Sequence, residues 1–242
     1  MSSTDKIQNT NPAMLTNMPD GGLILAVDGP SGTGKSTTCR ALAKQLNAKY
    51  VDTGAMYRVA TLAVLRAGVD PADRVAVIEV TRDLPLEVSD DPDSTEVILA
   101  GEDVSGEIRE RDVTQNVSAV SAIPEVRVNL VELQRKLARD AHRAIVEGRD
   151  IGTVVLVDAP AKAFLTASPE VRAQRRYDQD VTAGREVDFD TVLADVIRRD
   201  ELDSSRATSP LRPAEDAEII DTSTMSKDEV LATLIALIER SA

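Results

Sequence analysis

Short apolar runs alternate with amphipathic stretches along most of the chain. The first run, residues 23–27, has the pattern of a buried strand, and after a glycine-rich turn Cys39, Leu42, Ala43 and Leu46 fall on one helical face. Similar apolar runs return at residues 144–146, 153–157 and 163–165. Helical stretches separate these runs. This alternation predicts an α/β fold, with a parallel sheet flanked by helices.

Residues 81–117 interrupt the alternation. Leu84, Leu86 and Val88 fall at alternate positions, a turn-like stretch follows, and residues 96–100 are apolar again. Alternation on either side of a turn is typical of paired antiparallel strands. We therefore expect a small antiparallel insert at about 81–117.

Three other segments carry recognisable local signals. Residues 1–20 are rich in Ser, Thr, Asn and Pro without an apolar period, so we expect a disordered leader before one domain over residues 21–242. Ser168-Pro169-Glu170 predicts a helix start, since a capping hydroxyl, a first-turn proline and an acid follow one another. The apolar positions of residues 230–238 predict a closing amphipathic helix.

Charge and composition exclude several classes of protein. The 28 Lys plus Arg against 41 Asp plus Glu give a net charge of −13, and aromatic residues make up only 2%. Neither fits a nucleic-acid-binding protein, which needs a cationic surface and often aromatic platforms. We find no apolar run near the roughly 20 residues of a membrane span, no signal-peptide core and only one cysteine. We therefore expect a cytoplasmic monomer that binds neither nucleic acid nor a membrane.

A phosphate-binding loop follows the first predicted strand. Nine residues carry the pattern G-x-x-x-x-G-K-S/T and its next position: Gly29, Pro30, Ser31, Gly32, Thr33, Gly34, Lys35, Ser36 and Thr37. The glycines let backbone N–H groups turn toward phosphate oxygens, and the helix that begins near Lys35 adds its positive dipole end. Lys35 can reach the β- and γ-phosphates, and the Ser36 hydroxyl can join a Mg²⁺ shell. The loop predicts an ATP site with Mg²⁺.

Two other classes of nucleotide-binding protein lack their motifs here. A GTPase would be expected to carry Asn-Lys-x-Asp, but the sequence contains no Asn-Lys dipeptide, so we interpret the D-x-x-G match at residues 103–106 as accidental. A protein kinase would carry His-Arg-Asp, whereas the only histidine, His142, precedes Arg143-Ala144. We expect His142 to be a surface residue on a helix.

Arginine is preferred over lysine in the last third of the chain. Residues 172–212 contain eight Arg and no Lys. The planar guanidinium suits bidentate phosphate contacts, so this preference favours phosphate recognition over simple solubility. Arg172, Arg175 and Arg176 share one helix face and precede a polar, glycine-containing connection, which predicts a hinged lid at about 172–206.

Two polar segments follow predicted strands. Thr53, Tyr57 and Arg58 place a hydroxyl, a phenol and a guanidinium at a strand-to-helix turn, where they could hold a second phosphorylated substrate. Arg149 and Asp150 follow the strand at residues 144–146 and therefore lie at the carboxyl edge of the sheet, where open α/β folds bind ligands.

Together these blocks resemble the bacterial cytidylate kinases, which are P-loop nucleoside monophosphate kinases. The resemblance runs from Leu23 to about Ile235 and is carried by residues 28–37, 52–58, 101–109, 148–155, 199–206 and 221–223. Residues 104–109 are its most specific part, because kinases for other monophosphates share the phosphate loop and lack this block. Thr53 stands where serine is frequent in the family, and Ser36 stands where glycine also occurs.

The resemblance implies a role for each matched residue. It implies that Gly29 to Thr37 hold ATP, that Lys35, Arg172, Arg175 and Arg176 are catalytic, and that Ser36 contacts Mg²⁺, if only through the ATP complex. The residues it implies for CMP are Thr53, Tyr57 and Arg58 near the phosphate, Arg149 and Arg206 on the phosphate, Ser105, Arg109 and Asp150 at the cytosine edge, and Arg199 and Asp203 at the sugar.

The implied reaction is transfer of the γ-phosphoryl group of ATP to CMP or dCMP. The acceptor phosphate is largely a dianion at neutral pH, so no general base is needed. Three alternatives stay open: a kinase for UMP, AMP or a metabolite hydroxyl, a P-loop ATPase or nucleotide sensor, and a purely structural domain. Preference between CMP and dCMP is also open.

Overall fold

The computed structural model describes residues 22–241, so the expected leader lies outside the described residues. The strands are β1 (Leu23–Asp28), β2 (Lys49–Asp52), β3 (Leu86–Val88), β4 (Val97–Leu99), β5 (Glu102–Asp103), β6 (Arg143–Glu147), β7 (Ala161–Thr166) and β8 (Glu218–Asp221). The helices are α1 (Lys35–Leu46), α2 (Thr53–Arg66), α3 (Arg74–Thr81), α4 (Arg111–Ser121), α5 (Pro124–Asp140), α6 (Pro169–Thr182), α7 (Phe189–Ser204) and α8 (Lys227–Ser241).

Five of the strands form one parallel sheet in the order β2-β6-β1-β7-β8. The central strand β1 is apolar on both faces because helices cover both sides of the sheet. Ala26 packs into a core with α2 and α5, whereas Leu25 and Val27 pack with α1 and α8. The predicted parallel α/β sheet is confirmed, and its strands all direct their carboxyl ends to one edge.

The predicted antiparallel segment forms a second sheet, in the order β3-β4-β5. Val97, Leu99 and Val104 pack under it against Val59 and Leu62 of α2. The apolar residues of the short strands therefore attach this sheet to a helix of the main domain.

The loop between β3 and β4 covers the outer edge of β2. The amide of Tyr50 donates to the carbonyl of Asp90 at 2.8 Å, and Lys49 Nζ lies 2.8 Å from the Asp90 carboxylate. On the neighbouring helix, Arg40 donates to the carbonyls of Pro92, at 3.3 Å, and Ser94. These contacts connect the insert to the phosphate-loop half of the domain.

Helices α6 and α7 form an antiparallel pair beside the phosphate loop. The Ser168 hydroxyl accepts a hydrogen bond from the Val171 amide at 3.3 Å, which confirms the predicted helix start. Ala173 packs against Val192 and Val196 in a small apolar core of their own. The pair thus has limited apolar contact with the main core.

Two local predictions are wrong. Residues 153–157 do not form a strand, because Ile151–Val155 form one π-helical turn. The Asp28 carboxylate accepts from the amides of Ile151 and Gly152, both at 2.7 Å, so this backbone is satisfied without a neighbouring strand. His142 is exposed as expected, but it lies in the connection between α5 and β6 and not on a helix.

Within residues 22–241, no helix is both long and apolar enough to cross a membrane.

Candidate active site

The phosphate loop lies at the carboxyl end of β1. Gly29, Gly32 and Gly34 have positive φ values of 143°, 82° and 91°. A Cβ added to Gly29 would lie 2.0 Å from the Leu165 carbonyl oxygen, so the neighbouring strand leaves no space for a side chain. The loop wraps around the start of α1, which supplies the N-terminal dipole that the sequence predicts for an anion site.

Lys35 lies inside this loop. Its Nζ atom donates to the Pro30 carbonyl at 2.6 Å and lies 3.4 Å from the Thr33 hydroxyl, and the residue is buried. Burial lowers its pKa to about 7, and the nearby positive charge of Arg149 acts the same way. An anion that enters the loop would therefore stabilise the charged form of Lys35.

Three carboxylates lie at the ends of the adjoining strands. Glu147 pairs in register with Val27 of β1 and Asp52 of β2, and Asp28 follows Val27. Burial raises the pKa of Asp28 to about 6, although the two backbone donors from the π-helical turn oppose the shift. Burial also raises the pKa of Glu147, as does the charge of Asp52. The charges of Glu147 and Asp28 act to raise the pKa of Lys35 and so partly oppose the effect of burial.

One carboxylate oxygen of Glu147 is available to a ligand. The Glu147 carboxylate accepts from the Tyr50 hydroxyl through Oε1, whereas its buried Oε2 has no hydrogen-bond partner among the residues described. Ser36 lies in the first turn of α1 and interacts with the same carboxyl. Oxygen ligands are those that Mg²⁺ prefers, so Ser36 and Glu147 fit a magnesium ion or its waters. In the described part of the chain, no group of three His, Cys, Asp or Glu side chains could hold a metal by itself.

Arg149 and Arg206 meet Asp203 beside this loop. The Asp203 carboxylate lies 3.1 Å from Arg149 Nε and 2.6 Å from Arg206 Nη2, and it accepts from the Ser118 hydroxyl at 3.0 Å. Burial acts to raise the pKa of Asp203, but the surrounding arginines lower it overall. One buried acid thus faces two guanidinium groups.

Arg58 and Arg199 add positive charge, and neither forms an ion pair with a carboxylate among the residues described. Arg58 donates at 2.9 Å to the Ile108 carbonyl and the Thr114 hydroxyl. The Nε atom of Arg199 is buried and has no partner among the residues described. Burial and neighbouring arginines lower the pKa of Arg58 to about 10 and that of Arg199 to about 9. This excess positive charge favours an anionic ligand.

Asp150 is paired with a residue that the sequence analysis missed. Arg127, on α5, forms a buried ion pair with the Asp150 carboxylate, and its guanidinium lies 5.1 Å from the ring centre of Tyr57. Arg127 also donates to the Ser209 hydroxyl and the Ser121 carbonyl, both at 3.1 Å. Arg127 is a charged residue on the apolar face of a predicted helix, and this position was the sequence signal that could have identified it as a buried, paired residue.

Thr53 and Tyr57 lie between these groups. The Thr53 hydroxyl donates to the Glu147 carbonyl at 2.7 Å, so it helps to fix the start of α2 against β6. The Tyr57 hydroxyl is buried with no hydrogen-bond partner among the described residues.

Ser105 and Arg109 lie on the insert side of the molecule. The Ser105 hydroxyl accepts from the Val97 amide at 2.9 Å and contacts Asp103, and Arg109 donates to the Ser105 carbonyl at 2.6 Å. Neither contacts Asp150 in this structure. Their role in reading a base stays a prediction.

The three arginines of α6 point toward the phosphate loop or along their own helix. Arg172 donates to the Ser31 carbonyl at 3.2 Å and pairs with Asp200 of α7. Arg175 lies 3.4 Å from the Gly32 carbonyl and donates to the Thr222 carbonyl at 2.6 Å. Arg176 pairs with Asp180 one turn later.

A cavity of about 740 Å³ lies between the phosphate loop, the start of α4 and the helices α6 and α7. Its volume is in the range of small-molecule sites. The lining includes residues 31 and 32 of the phosphate loop, the start of α4, and the facing sides of α6 and α7. Arg109, Arg172, Arg175, Arg176 and Arg199 are among the lining residues. The cavity is therefore bordered by several guanidinium groups.

Comparisons with known proteins give one consistent result. A family model described as cytidylate kinase matches residues 25–240. A cytidylate kinase of Corynebacterium efficiens is 75% identical over 225 residues, which cover 93% of this chain and 98% of that protein. A cytidylate kinase of Mycobacterium leprae is 58% identical over 218 residues, covering 90% and 96% of the two chains.

A solved structure shows a likeness of fold alone. The crystal structure of an uncharacterized protein from Eubacterium ventriosum aligns with a TM-score of 0.50 at 14% identity, covering 90% of this chain and 98% of that one.

Proposed function

The chain belongs to the cytidylate kinase family, and from that membership we propose how its residues perform the reaction. The protein is an ATP-dependent kinase that phosphorylates CMP or dCMP, giving CDP or dCDP and ADP. The fold is accordingly that of a P-loop nucleoside monophosphate kinase.

We propose that the ATP phosphates bind in the loop from Gly29 to Thr37. The positive-φ glycines, the start of α1 and the buried Lys35 support this position. Mg²⁺ would be held by Ser36 and, directly or through water, by Glu147, and when bound it would neutralise charge on the phosphates. Lys35 would leave the neutral Pro30 carbonyl for an anionic phosphate oxygen.

We propose that the monophosphate binds beside Arg58, Arg149 and Arg206. Their excess positive charge supports this position, and Arg199 and Asp203 border it where the sugar would lie. Thr53 and Tyr57 would complete the wall of this site. Asp150 would read the cytosine edge, with Ser105 and Arg109 contributing from the insert.

Arg127 belongs in this proposal although the sequence analysis did not include it. It holds the Asp150 carboxylate in a buried ion pair and lies over Tyr57. A buried carboxylate fixed in this way can present a directional acceptor to a base, and a site built for polar groups rejects ligands that leave them unpaired.

The chemistry requires charge and alignment but no proton acceptor. A phosphate monoester has its second pKa at about 6, so the attacking oxygen is already ionised at neutral pH. The arginines and Lys35 would hold two anions in line and neutralise the charge that spreads over the transferred group. Arg172, Arg175 and Arg176 would supply part of this charge from α6.

We further propose a division of labour among segments. Residues 81–117 would support the monophosphate side, and residues 172–206 would act as a lid that excludes water from the reacting phosphates. A monomer in the cytoplasm completes the proposal, supported by the buried thiol of Cys39, which has no disulfide partner in the sequence.

The observation that carries the proposed site is the meeting of the phosphate loop with the arginines at one sheet edge. Lys35 and Arg149 come from neighbouring strand ends and lie close enough for their charges to interact. This proximity supports a donor phosphate and an acceptor phosphate bound side by side.

The test is ADP formation from Mg-ATP with CMP, dCMP, UMP, AMP, GMP and dTMP offered separately, beside a control without acceptor. We expect strong turnover with CMP and dCMP only. Equal turnover without acceptor would indicate an ATPase, and turnover with another acceptor alone would contradict the proposed base recognition.

A further inference from the structure

Asp180 is shared between two arginines at the end of α6. Its side chain is only 9% exposed. Arg176 Nε, one helical turn earlier, lies 3.1 Å from Oδ2, and Arg185 Nη1 contacts Oδ1. All three residues border the cavity that contains Ser31 and Gly32 of the phosphate loop.

The backbone fixes Arg185 in this position. The connection from α6 to α7 turns at Gly184, which has a φ of 73°, and the Arg185 amide donates to the Asp180 carbonyl at 2.9 Å. Arg185 therefore stays beside Asp180 through its main chain, while its side chain is about half exposed.

Arg176 differs from the other two arginines of α6. Arg172 and Arg175 already donate to carbonyls of the phosphate loop, whereas Arg176 is held by an acid on its own helix. Its charge also affects the pKa of Arg58 across the cavity. Arg176 is thus within electrostatic reach of the monophosphate side.

Moving Arg176 onto a phosphate raises a difficulty at Asp180. A buried carboxylate that loses its partner keeps the cost of desolvation without the compensating attraction. A second guanidinium on the same carboxylate removes this difficulty, because one partner can leave while the other stays.

We infer that Asp180 and Arg185 are positioning residues for Arg176. Asp180 holds Arg176 at the side of the cavity before ATP binds, and Arg185 alone neutralises Asp180 once Arg176 has turned to a phosphate. The inference depends on the proposed role of Arg176 toward ATP. It assigns Arg185 a function without requiring any contact between Arg185 and nucleotide.

The decisive experiment compares Arg185→Ala, Asp180→Asn and the double variant. In Arg185→Ala the carboxylate has only Arg176 left, so we expect kcat/KM for ATP to fall about tenfold, the effect of one charge-assisted hydrogen bond. KM for CMP at saturating ATP should stay unchanged. In Asp180→Asn the neutral amide holds Arg176 less tightly, so kcat/KM for ATP should be equal to or above that of the unmodified protein.

The double variant separates positioning from a merely structural role. We expect Asp180→Asn to abolish the defect of Arg185→Ala, because no carboxylate remains to retain Arg176. If the pair only fastens the lid, both single variants and the double variant would lose activity alike, and the inference would be wrong. Wild-type kinetics for Arg185→Ala would overturn it as well.

Two control variants show which premise is wrong if the results differ from those expected. Arg176→Ala should lower kcat/KM for ATP at least as much as Arg185→Ala; normal kinetics there would remove the premise about Arg176, and the inference with it. Arg74→Ala removes an exposed arginine that pairs with Glu125 outside the cavity and should leave the kinetics unchanged. Thermal melting of every variant checks that the fold persists.

Discussion

At the scale of single residues, the charge of Lys35 gives the most direct test of the proposed ATP site. Its ammonium group is buried in the phosphate loop, and its pKa is lowered to about 7. Lys35→Met should reduce kcat by about 10²-fold or more, because preorganised charge on the transferred group is lost. Lys44→Met, at an exposed position of the same helix, should not change kcat.

The melting temperature of Lys35→Met is part of that prediction. The lowered pKa means that burial costs the ammonium group more than the neighbouring carboxylates return, so replacing it by an apolar chain should cause no loss of thermal stability. A lower melting temperature together with the lost activity would instead indicate a damaged fold.

The lowered pKa of Lys35 predicts that ATP binding takes up a proton. At pH 8 the free protein holds Lys35 largely neutral, and the phosphates restore its charged form, so the bound state has the higher pKa. ATP affinity should therefore weaken as pH rises above about 7, by up to about tenfold per pH unit. Calorimetry in two buffers of different ionisation enthalpy measures the uptake, which Lys35→Met should lack.

The buried ion pair between Arg127 and Asp150 allows a test of how single residues contribute to protein stability. Arg127→Ala leaves the Asp150 carboxylate buried and unpaired, which should destabilise the protein by about 3–5 kcal/mol and raise KM for CMP. Adding Asp150→Ala should recover part of the stability, although not the recognition of CMP. Arg66→Ala, which breaks exposed pairs with Glu102 and Glu107, should have a much smaller effect in denaturant titrations.

Sequence reasoning succeeded for residues whose position is set by a local pattern. The phosphate loop and Arg149 follow directly from a strand end, so their common edge could be predicted. Arg127 lies in the first turn of α5, and the side chain that it contacts, Asp150, is distant in sequence, so no short spacing indicated the pair. Thr222 is similar: its hydroxyl donates to the carbonyl of Thr33 at 3.0 Å from far along the chain.

At the scale of elements, we expect α6 and α7 to be the segment that moves on ligand binding. Their apolar contacts are few, and Arg172 and Arg175 fasten them to the phosphate loop mainly by polar contacts. A bisubstrate inhibitor should therefore slow amide hydrogen exchange across residues 172–206. Helix α8, packed on the far face of the sheet, serves as the internal control. Unchanged exchange in residues 172–206 would contradict a closing lid.

The π-helical turn shows why one element escaped prediction. Residues 153–157 are apolar enough for a strand, but their backbone conformation depends on distant polar groups. Asp28 accepts from its first two amides, and Arg135 donates to the carbonyls of Val154 and Val155, both at 2.9 Å. Periodicity within a segment does not contain this information.

At the scale of the whole molecule, the strand pattern predicted a parallel sheet but not the order β2-β6-β1-β7-β8. Strand order depends on which helices cross which face, and apolar runs of similar length do not distinguish the possibilities. The position of the insert was easier to infer, because its two-residue period differs from the surrounding pattern.

We expect the protein to be a monomer in solution. The most exposed large hydrophobic residues are Val75, Val128 and Ile219, which are 78%, 63% and 61% exposed and lie on three separate elements. A net charge of −13 also opposes association between copies of the protein. Sedimentation should give a mass near 26.0 kDa. A stable species of twice that mass would contradict the prediction.

The loop that lies on β2 has a consequence for aggregation. Open sheet edges can recruit strands from other chains, and this sheet ends in β2 on one side and β8 on the other. The loop occupies the first edge through the bond from Tyr50 to Asp90, and acidic residues, Glu218 and Asp221, stand at both ends of the second. Shortening the loop would therefore weaken the attachment of the insert and would also expose the edge of β2. That edge could then pair with strands of other molecules, as in a fibril.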